Sequence, residues 1–452
     1  MVDNEFDRSA PPNSAADVDE RPPFLAMLLL GLQHTLVMYA GVVVVPIVVG
    51  TSIGLSDTEL ANLVSIDLIL AGIGTLLQAL GFWKFGIRMP LVVGAAASGI
   101  VPMVLVGQSQ GLATVYGSLL VAGLVWIVVA PYFSMLLRLF PAVVTGTVIA
   151  LIGLTLIPVG IRLIAGSDSS AADYGRLSHI ALAAATMALM VIFRRLFRGL
   201  LGQLSILAAL VVGAIVGWAT GIGSLTEIGS GPIVTVMSPF HFGALQFHVP
   251  SILLFLVIVF VLMVEGAGQG LAVGEVVGKP LGPTEIARLL RVDGLMTAVS
   301  GVFNGFVYTT FGQNIGLIAL TGVRSRFPVA IGGVILLVLG LVQPVGRIAA
   351  AIPEPVIGAA AIVTFGALTV AGMQILARVD LGRSSNLMIV MLSLGVGLVP
   401  AYAPRFYHQL PAFAEMFFKS GVATGTVLAL VLNVVFHARR RSASDTASAP
   451  AP

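Results

Sequence analysis

Cysteine is absent from the 452 residues, so disulfides, thiolate metal sites and cysteine nucleophiles are excluded in any compartment. Charge is scarce as well: Asp, Glu, Lys and Arg make up 10% of the chain, where a soluble domain carries about 25%. Histidine occurs six times without the close spacing that metal ligands need, which argues against a metal enzyme. No nucleophile–base pair of a membrane enzyme is visible, and no ring of polar residues or carbonyl-filter motif of a channel. The net charge of +3 describes mildly basic loops, and no nucleic-acid partner is expected. No basic stretch precedes an early apolar core, so the N-terminus does not read as a signal peptide.

Apolar side chains fill the space these absences leave, at 58% of residues with a mean hydropathy of +1.05. Such a chain is an all-α polytopic membrane protein, with room for about fourteen spans of about 20 residues each. Spans are predicted near 24–50, 58–81, 90–106, 113–136, 142–165, 178–194, 199–220, 249–276, 284–304, 311–322, 327–351, 354–376, 384–400 and 408–437. Residues 1–22, rich in Pro, Ala, Ser and acids, read as a disordered tail, and 438–452, with Arg439, Arg440 and Arg441, as a second, basic one. With the N-terminus inside, 18 of the 23 Lys and Arg residues fall in the tails and in loops on the cytoplasmic side, leaving Arg162, Arg176, Arg347, Arg405 and Lys419 outside. That asymmetry predicts an even number of spans with both ends in the cytoplasm.

Two segments depart from ordinary spans. The third carries Gly94-Ala95-Ala96-Ala97-Ser98-Gly99 before Pro102, and the tenth carries Gly312-Gln313-Asn314 and Gly316 before Gly322. Each is the third of a set of seven. Short, interrupted segments at matching places in two halves point to an inverted-repeat transporter with a mid-membrane substrate site. Irregular backbone at that depth is tolerated only where protein or a cavity satisfies it. The alternative is a pair of Gly-rich packing helices.

Ionisable groups inside the bilayer cost at least about 2.5–3.5 kcal/mol each, so Asp67, Glu265, Glu275 and Asp293 are functional candidates by default. Glu265 stands first. It follows an apolar run from Ile252 to Val264 and opens a Gly-rich turn in which Gln269 lies one helical turn on. A carboxyl group there can exchange a proton and can hydrogen-bond a ligand in either protonation state. Asp293 suits a proton site or a helix N-terminus. Asp67 and Glu275 are better explained by structural hydrogen bonding or interfacial placement. His34 lies inside the first span, where a structural role is the commoner one. Phe303, Phe306, Tyr308 and Phe311 flank the tenth segment and either stack on a planar substrate or pack.

These blocks, in this order, resemble the nucleobase/ascorbate transporter family, the nucleobase–cation symporters. Carrying the resemblance are Gln33-His34 with Met38-Tyr39-Ala40-Gly41 and Val45-Pro46, then Glu265 with Lys279-Pro280, Asp293-Gly294, and Gln313-Asn314-x-Gly316-x-x-x-x-Thr321-Gly322 followed by Arg324-Ser325-Arg326. The likeness covers residues 24–437. It implies seven-plus-seven inverted repeats, a core (about 24–137 and 249–351), a gate (about 142–220 and 354–437), and short strands in segments 3 and 10. It implies that Glu265 and Gln313 bind the polar edges of the base, with backbone groups of the strands around Ala96, Ala97 and Gly312 and the Phe311 ring beside it. Asp293, His34, Asn314 and Gln269 would support proton coupling. The expectation is proton symport of an oxidised purine, xanthine or urate, by a homodimer in the bacterial inner membrane, with lipid around it and no cofactor. Uracil or another nucleobase is the alternative, and an anion of the sulfate or bicarbonate kind a weaker one, since Glu265 disfavours an anion site. Ala97 departs from the family, which usually carries Phe there; Ala96 stands where purine carriers often have Asn or Thr, and Gln269 where some have Asp.

Overall fold

Proline and glycine punctuate the apolar runs, and many helix ends fall at them, although Pro46, Pro158 and Pro400 lie inside continuous helices. The computed structural model describes residues 18–133, 140–166, 174–198, 202, 204–223, 225 and 231–447. Residues 1–17 and 448–452 of the expected tails, and Arg138, lie outside the described residues. Helix α1 (Phe24–Ile53) starts after Pro23 and ends on Gly54 in the left-handed conformation. Helix α2 (Asp57–Leu80) opens on a capping box, in which Ser56 Oγ accepts from the Glu59 N–H and the Glu59 carboxylate accepts from the Ser56 N–H. Strand β1 (Val93–Ala95) leads through one tight turn (Ala97–Gly99) into α3 (Ile100–Gln110), followed by α4 (Leu112–Val129), α5 (Ala142–Ala165), α6 (Leu177–Leu196) and α7 (Ser205–Ala219). The second half contains α8 (Val249–Val277), α9 (Pro283–Phe303), β2 (Tyr308–Thr310), α10 (Gln313–Thr321), α11 (Arg326–Leu341) and α12 (Gln343–Ala350). It ends with α13 (Glu354–Leu376), α14 (Ser384–Tyr402), α15 (Ala412–Lys419) and α16 (Gly421–Ala447).

Among the described residues, eight helices are long and apolar enough to cross a membrane: α1, α2, α4, α5, α6, α8, α13 and α14. Shorter apolar helices are α7, α11 and the Gly421–Phe436 part of α16. The chain is a mostly helical, multi-pass membrane protein. Apolar side chains such as Val128, Val191, Leu196, Val370, Met373 and Val435 are exposed on the helix surfaces, as faces turned to lipid tails must be.

Packing sorts the helices into two groups. Helix α2 lies against α1, α11 and α12, and α4 lies against α8 and α9; α5 lies against α13, α14 and α16, and α6 against α7 and α13. Small residues allow the closest of these approaches. A β-carbon at Gly123 of α4 would stand 2.7 Å from the Gly294 carbonyl oxygen of α9, too close for any side chain.

Four expectations need correction. Residues 18–22 are not free tail: Val18 is buried, and the Arg326 N–H donates to the Val18 carbonyl at 3.0 Å. The basic end from His437 to Ala447 continues α16, because Ala and Arg favour helix and no Gly or Pro intervenes before Pro450. The eleventh span breaks at Val342, because Pro344 lacks the N–H that a continuous helix needs and fits only the first turn of the short helix α12, which begins at Gln343. Asp293 lies in the middle of α9, which begins at Pro283, so it is not a helix N-terminus.

Candidate functional site

Two segments from opposite halves of the chain meet as a three-rung antiparallel ladder, Val93 opposite Thr310, Gly94 opposite Thr309 and Ala95 opposite Tyr308. Both ends are extended: the Ala96 N–H donates to Val307 O at 2.7 Å and the Phe311 N–H to Val92 O at 2.8 Å. Backbone outside a helix needs protein partners at membrane depth. Two threonines complete that requirement, since Thr75 Oγ1 of α2 accepts from the Val93 N–H at 3.0 Å and Thr297 Oγ1 of α9 accepts from the Tyr308 N–H at 3.0 Å. From the ladder the chain turns directly into α3 and α10. The N-terminal ends of these half-helices, with their unpaired N–H groups, therefore lie beside the strand pair.

Side chains alternate along β2. Tyr308 and Thr310 go to one face, where the Tyr308 hydroxyl donates to Asp67 Oδ1 at 2.5 Å and Thr310 Oγ1 to Asp293 Oδ1 at 3.4 Å. Phe311, beyond the strand, lies on the other face. Its ring packs over the strand backbone: a β-carbon at Gly94 would stand 2.9 Å from Phe311 Cζ, and one at Gly41 of α1 3.3 Å from Cε2. Phe306 and Tyr308 are fully buried and pack inside, and Phe303 is the last residue of α9, whereas Phe311 lies beside the ladder's other face.

Glu265 sits half-buried on α8, and Gln269 Nε2 donates to its Oε1 at 3.2 Å. The Gln269 amide reaches across to the start of α10, where a β-carbon at Gly312 would lie 3.5 Å from Nε2. One turn of α8 is thereby set against the β2–α10 junction. Asp293 is wholly buried behind this turn; its Oδ2 would be 3.1 Å from a β-carbon at Gly266, the residue after Glu265. On the far side of α10, Asn314 Nδ2 donates to His34 Nδ1 at 3.0 Å and to the His34 carbonyl at 3.1 Å. Accepting at Nδ1 leaves the imidazole proton on Nε2. Ala96 is buried on the extended ladder, and Ala97, half-buried, opens the turn into α3. Gln313 starts α10, but its side chain lies outside the described residues.

The structure thus gathers Glu265, Gln269, Gly312, Phe311, Ala96 and Ala97 around the ladder, with Asp293, His34 and Asn314 supporting it. Glu275, exposed near the end of α8, is not part of it. Sequence reasoning missed Thr75, Thr297 and Gln78, whose Nε2 donates to Leu289 O at 3.0 Å and ties α2 to α9. It also missed Tyr308 as the partner of Asp67. A cavity of about 570 Å³ lies elsewhere, lined among others by Asp57, Asn62, His241, Gln343 and Arg347, and it contains none of the predicted site residues.

Comparisons with known proteins bear on this arrangement. The chain is 36% identical to a xanthine permease of Bacillus subtilis over 92% of its own length and 95% of that protein's. It is 36% identical to the uric acid transporter UacT of Escherichia coli, over 96% of this chain and 91% of the other. Among solved structures, it superposes on murine Slc26a9, an anion transporter in the inward-facing state, with a TM-score of 0.62 at 11% identity, covering 97% of this chain and 74% of that one. The transmembrane domain of the cyanobacterial bicarbonate transporter BicA gives 0.55 at 16% identity, covering 92% of this chain and 100% of the other. These two likenesses concern the fold alone. The Permease family model, that of the xanthine and uric acid permeases, matches residues 25–406, and with the relatives it shows that this chain belongs to the nucleobase/ascorbate transporter family.

Proposed function

We propose that this transporter carries an oxidised purine, xanthine or urate, into the cell together with a proton. The observation that carries the reading is the Glu265–Gln269 pair set against the start of α10, beside the strand ladder. A carboxyl and an amide present complementary acceptors and donors to the imide and amide edges of a base, and backbone N–H groups at α3 and α10 add further donors. Glu265 is the group that takes up and releases the proton, and Asp293, next to its helical turn, tunes it. His34 and Asn314 hold α1 to α10. The relatives named for xanthine and uric acid support the purine choice. The residues gathered at the ladder are carboxyl, amide and imidazole groups rather than Lys or Arg, which favours a base over the anions that the fold neighbours are named for.

Alternating access follows from the two packed groups of helices. The eight candidate helices, the three shorter apolar ones, α9 and the two strand-containing segments make up fourteen spans in a seven-plus-seven inverted repeat. Support for the repeat comes from Thr75 and Thr297, which perform the same task for β1 and β2 from the preceding helix in each half. The core comprises α1–α4 and α8–α12, and the gate α5–α7 and α13–α16. Proton and base binding together permit the core to move against the gate. The assembly is a homodimer in the bacterial inner membrane with both termini cytoplasmic.

The test is uptake of radiolabelled xanthine into proteoliposomes under an imposed inward pH gradient, with urate, guanine, uracil and sulfate as competitors. Gradient-driven accumulation, blocked by urate and not by uracil, is expected. No xanthine uptake by vesicles that accumulate one labelled competitor would overturn the substrate and keep the fold. Two variants refine it. Gln313→Glu is expected to move preference toward uracil, and an unchanged competition profile would place specificity elsewhere. Phe311→Ala removes the ring beside the ladder and is expected to raise KM about tenfold, ~1.4 kcal/mol, with maximal uptake little changed.

A further inference from the structure

Arg324-Ser325-Arg326, the end of the signature segment, has no part in the site described above, yet two of these residues are heavily engaged. Arg326 has a side chain 14% exposed, and Nη1 donates to the Ala79 carbonyl at 2.8 Å, one of the terminal acceptors of α2 that no helical N–H satisfies. Its Nε donates to Asp19 Oδ1 at 2.5 Å, and its guanidinium lies 4.6 Å from the centre of the Phe327 ring. Residues 18–21 complete the set. Ser325 Oγ donates to Glu20 O at 2.6 Å, the Arg21 guanidinium sits 4.9 Å from the Phe327 ring, and Val18 is 5% exposed within the apolar core. Backbone joins backbone through the Arg326 N–H and Val18 O.

We propose that residues 18–21 form a strap that binds the turn between α10 and α11 to the lead-in of α1 and the end of α2, with Asp19 and Arg326 as its positioning pair. All the elements it joins belong to the core. Helix α10 begins at the binding site and ends at Thr321, four residues before Ser325, so a fixed turn fixes the tilt of the half-helix that carries Asn314. The strap stays closed while the core moves, and what it contributes is a core that travels as one body. An exposed ion pair alone would give little. Here the strength comes from Val18 in the core and from the Arg326 bonds to carbonyl groups.

The natural lack of cysteine makes a direct test possible, because introduced thiols are the only ones. The uptake part rests on the transport reading above, so a substrate-free readout accompanies it. A Val18→Cys thiol is expected to react slowly with a maleimide in the otherwise unchanged protein and much faster with Arg326→Gln added; equal rates would overturn the strap whatever the substrate is. In vesicles, Arg326→Gln is expected to lower maximal uptake of the accumulated base several-fold. Joining Glu20→Cys to Ser325→Cys with a short bis-maleimide should leave uptake intact in the parent and restore it in the Arg326→Gln background. Loss of uptake on cross-linking the parent would show that the strap must open in each cycle, and failure of the cross-link to restore the variant would show that Arg326 acts otherwise. Either result overturns the proposal.

Discussion

Glu265→Gln is expected to abolish accumulation of the base against a gradient while leaving exchange of labelled for unlabelled base across the membrane. The substitution keeps the size and the planar end of the side chain, and an amide oxygen can still accept from Gln269 Nε2, which donates to Oε1 in the parent at 3.2 Å. It removes the capacity to bind and release a proton. Exchange needs only the loaded carrier to shuttle, whereas accumulation needs proton movement coupled to base movement. With one proton per base, a gradient of one pH unit supports accumulation of about tenfold, ~1.4 kcal/mol. In the variant the inside-to-outside ratio should fall to about one, the value without any drive. Parallel assays of gradient-driven uptake and equilibrium exchange separate the outcomes. Accumulation at the parental level would remove Glu265 from the coupling, and loss of both activities would assign it to base binding alone.

Tyr308→Phe should strongly destabilise the protein, although it deletes one atom far from the exposed surface. Asp67 is fully buried in α2; its Oδ1 accepts from the Tyr308 hydroxyl, and its Oδ2 makes no hydrogen bond to a described residue. Without the hydroxyl, a carboxyl group is left inside the bilayer with its one side-chain donor gone, a cost of about 1–3 kcal/mol or more for a group that can carry charge. Because Tyr308 stands on β2, opposite Ala95, relaxation there shifts the strand pair and weakens base binding too. Removing both polar partners should be far milder, so Asp67→Leu combined with Tyr308→Phe is expected to regain most of the loss. Thermal unfolding of the detergent-purified single and double variants checks this. Additive losses would show that the pair does not couple and that Tyr308 matters only through packing.

Much of the candidate site was legible because polar residues are conspicuous in an apolar chain. Glu265 after thirteen apolar residues, and Gln313-Asn314 inside a Gly-rich segment, stand out by chemistry alone. Thr75 and Thr297 do not: a threonine in a membrane helix commonly bonds its own preceding turn, as Thr186 does to Leu182 O at 2.8 Å, and Thr297 makes the same bond to Asp293 O at 2.8 Å while also accepting from β2, so nothing local marks the second use. Partnerships across the fold were equally silent, since His34 and Asn314, or Asp67 and Tyr308, are joined only once the helices have packed. The strap escaped because a polar, acidic stretch averages to a tail, and the single Val18 cannot outweigh that composition. Pro344 was the local signal for the break in the eleventh span: a proline has no N–H for a continuous helix and is accommodated in a first turn, so the helix stops at Leu341 and restarts at Gln343.

The strand ladder also joins two segments that translation delivers far apart in time. Its two strands are made at different times, β1 early in translation and β2 only when the second half has followed. Until then Gly94 and Ala95 have no pairing partner in β1's own half, and a bilayer offers none. Thr75, delivered in the same half, offers the Val93 N–H a partner before β2 is made. A nascent chain stalled before Tyr308 would hold an unpaired edge inside the membrane, a target for insertion chaperones and quality-control proteases that the finished protein no longer presents.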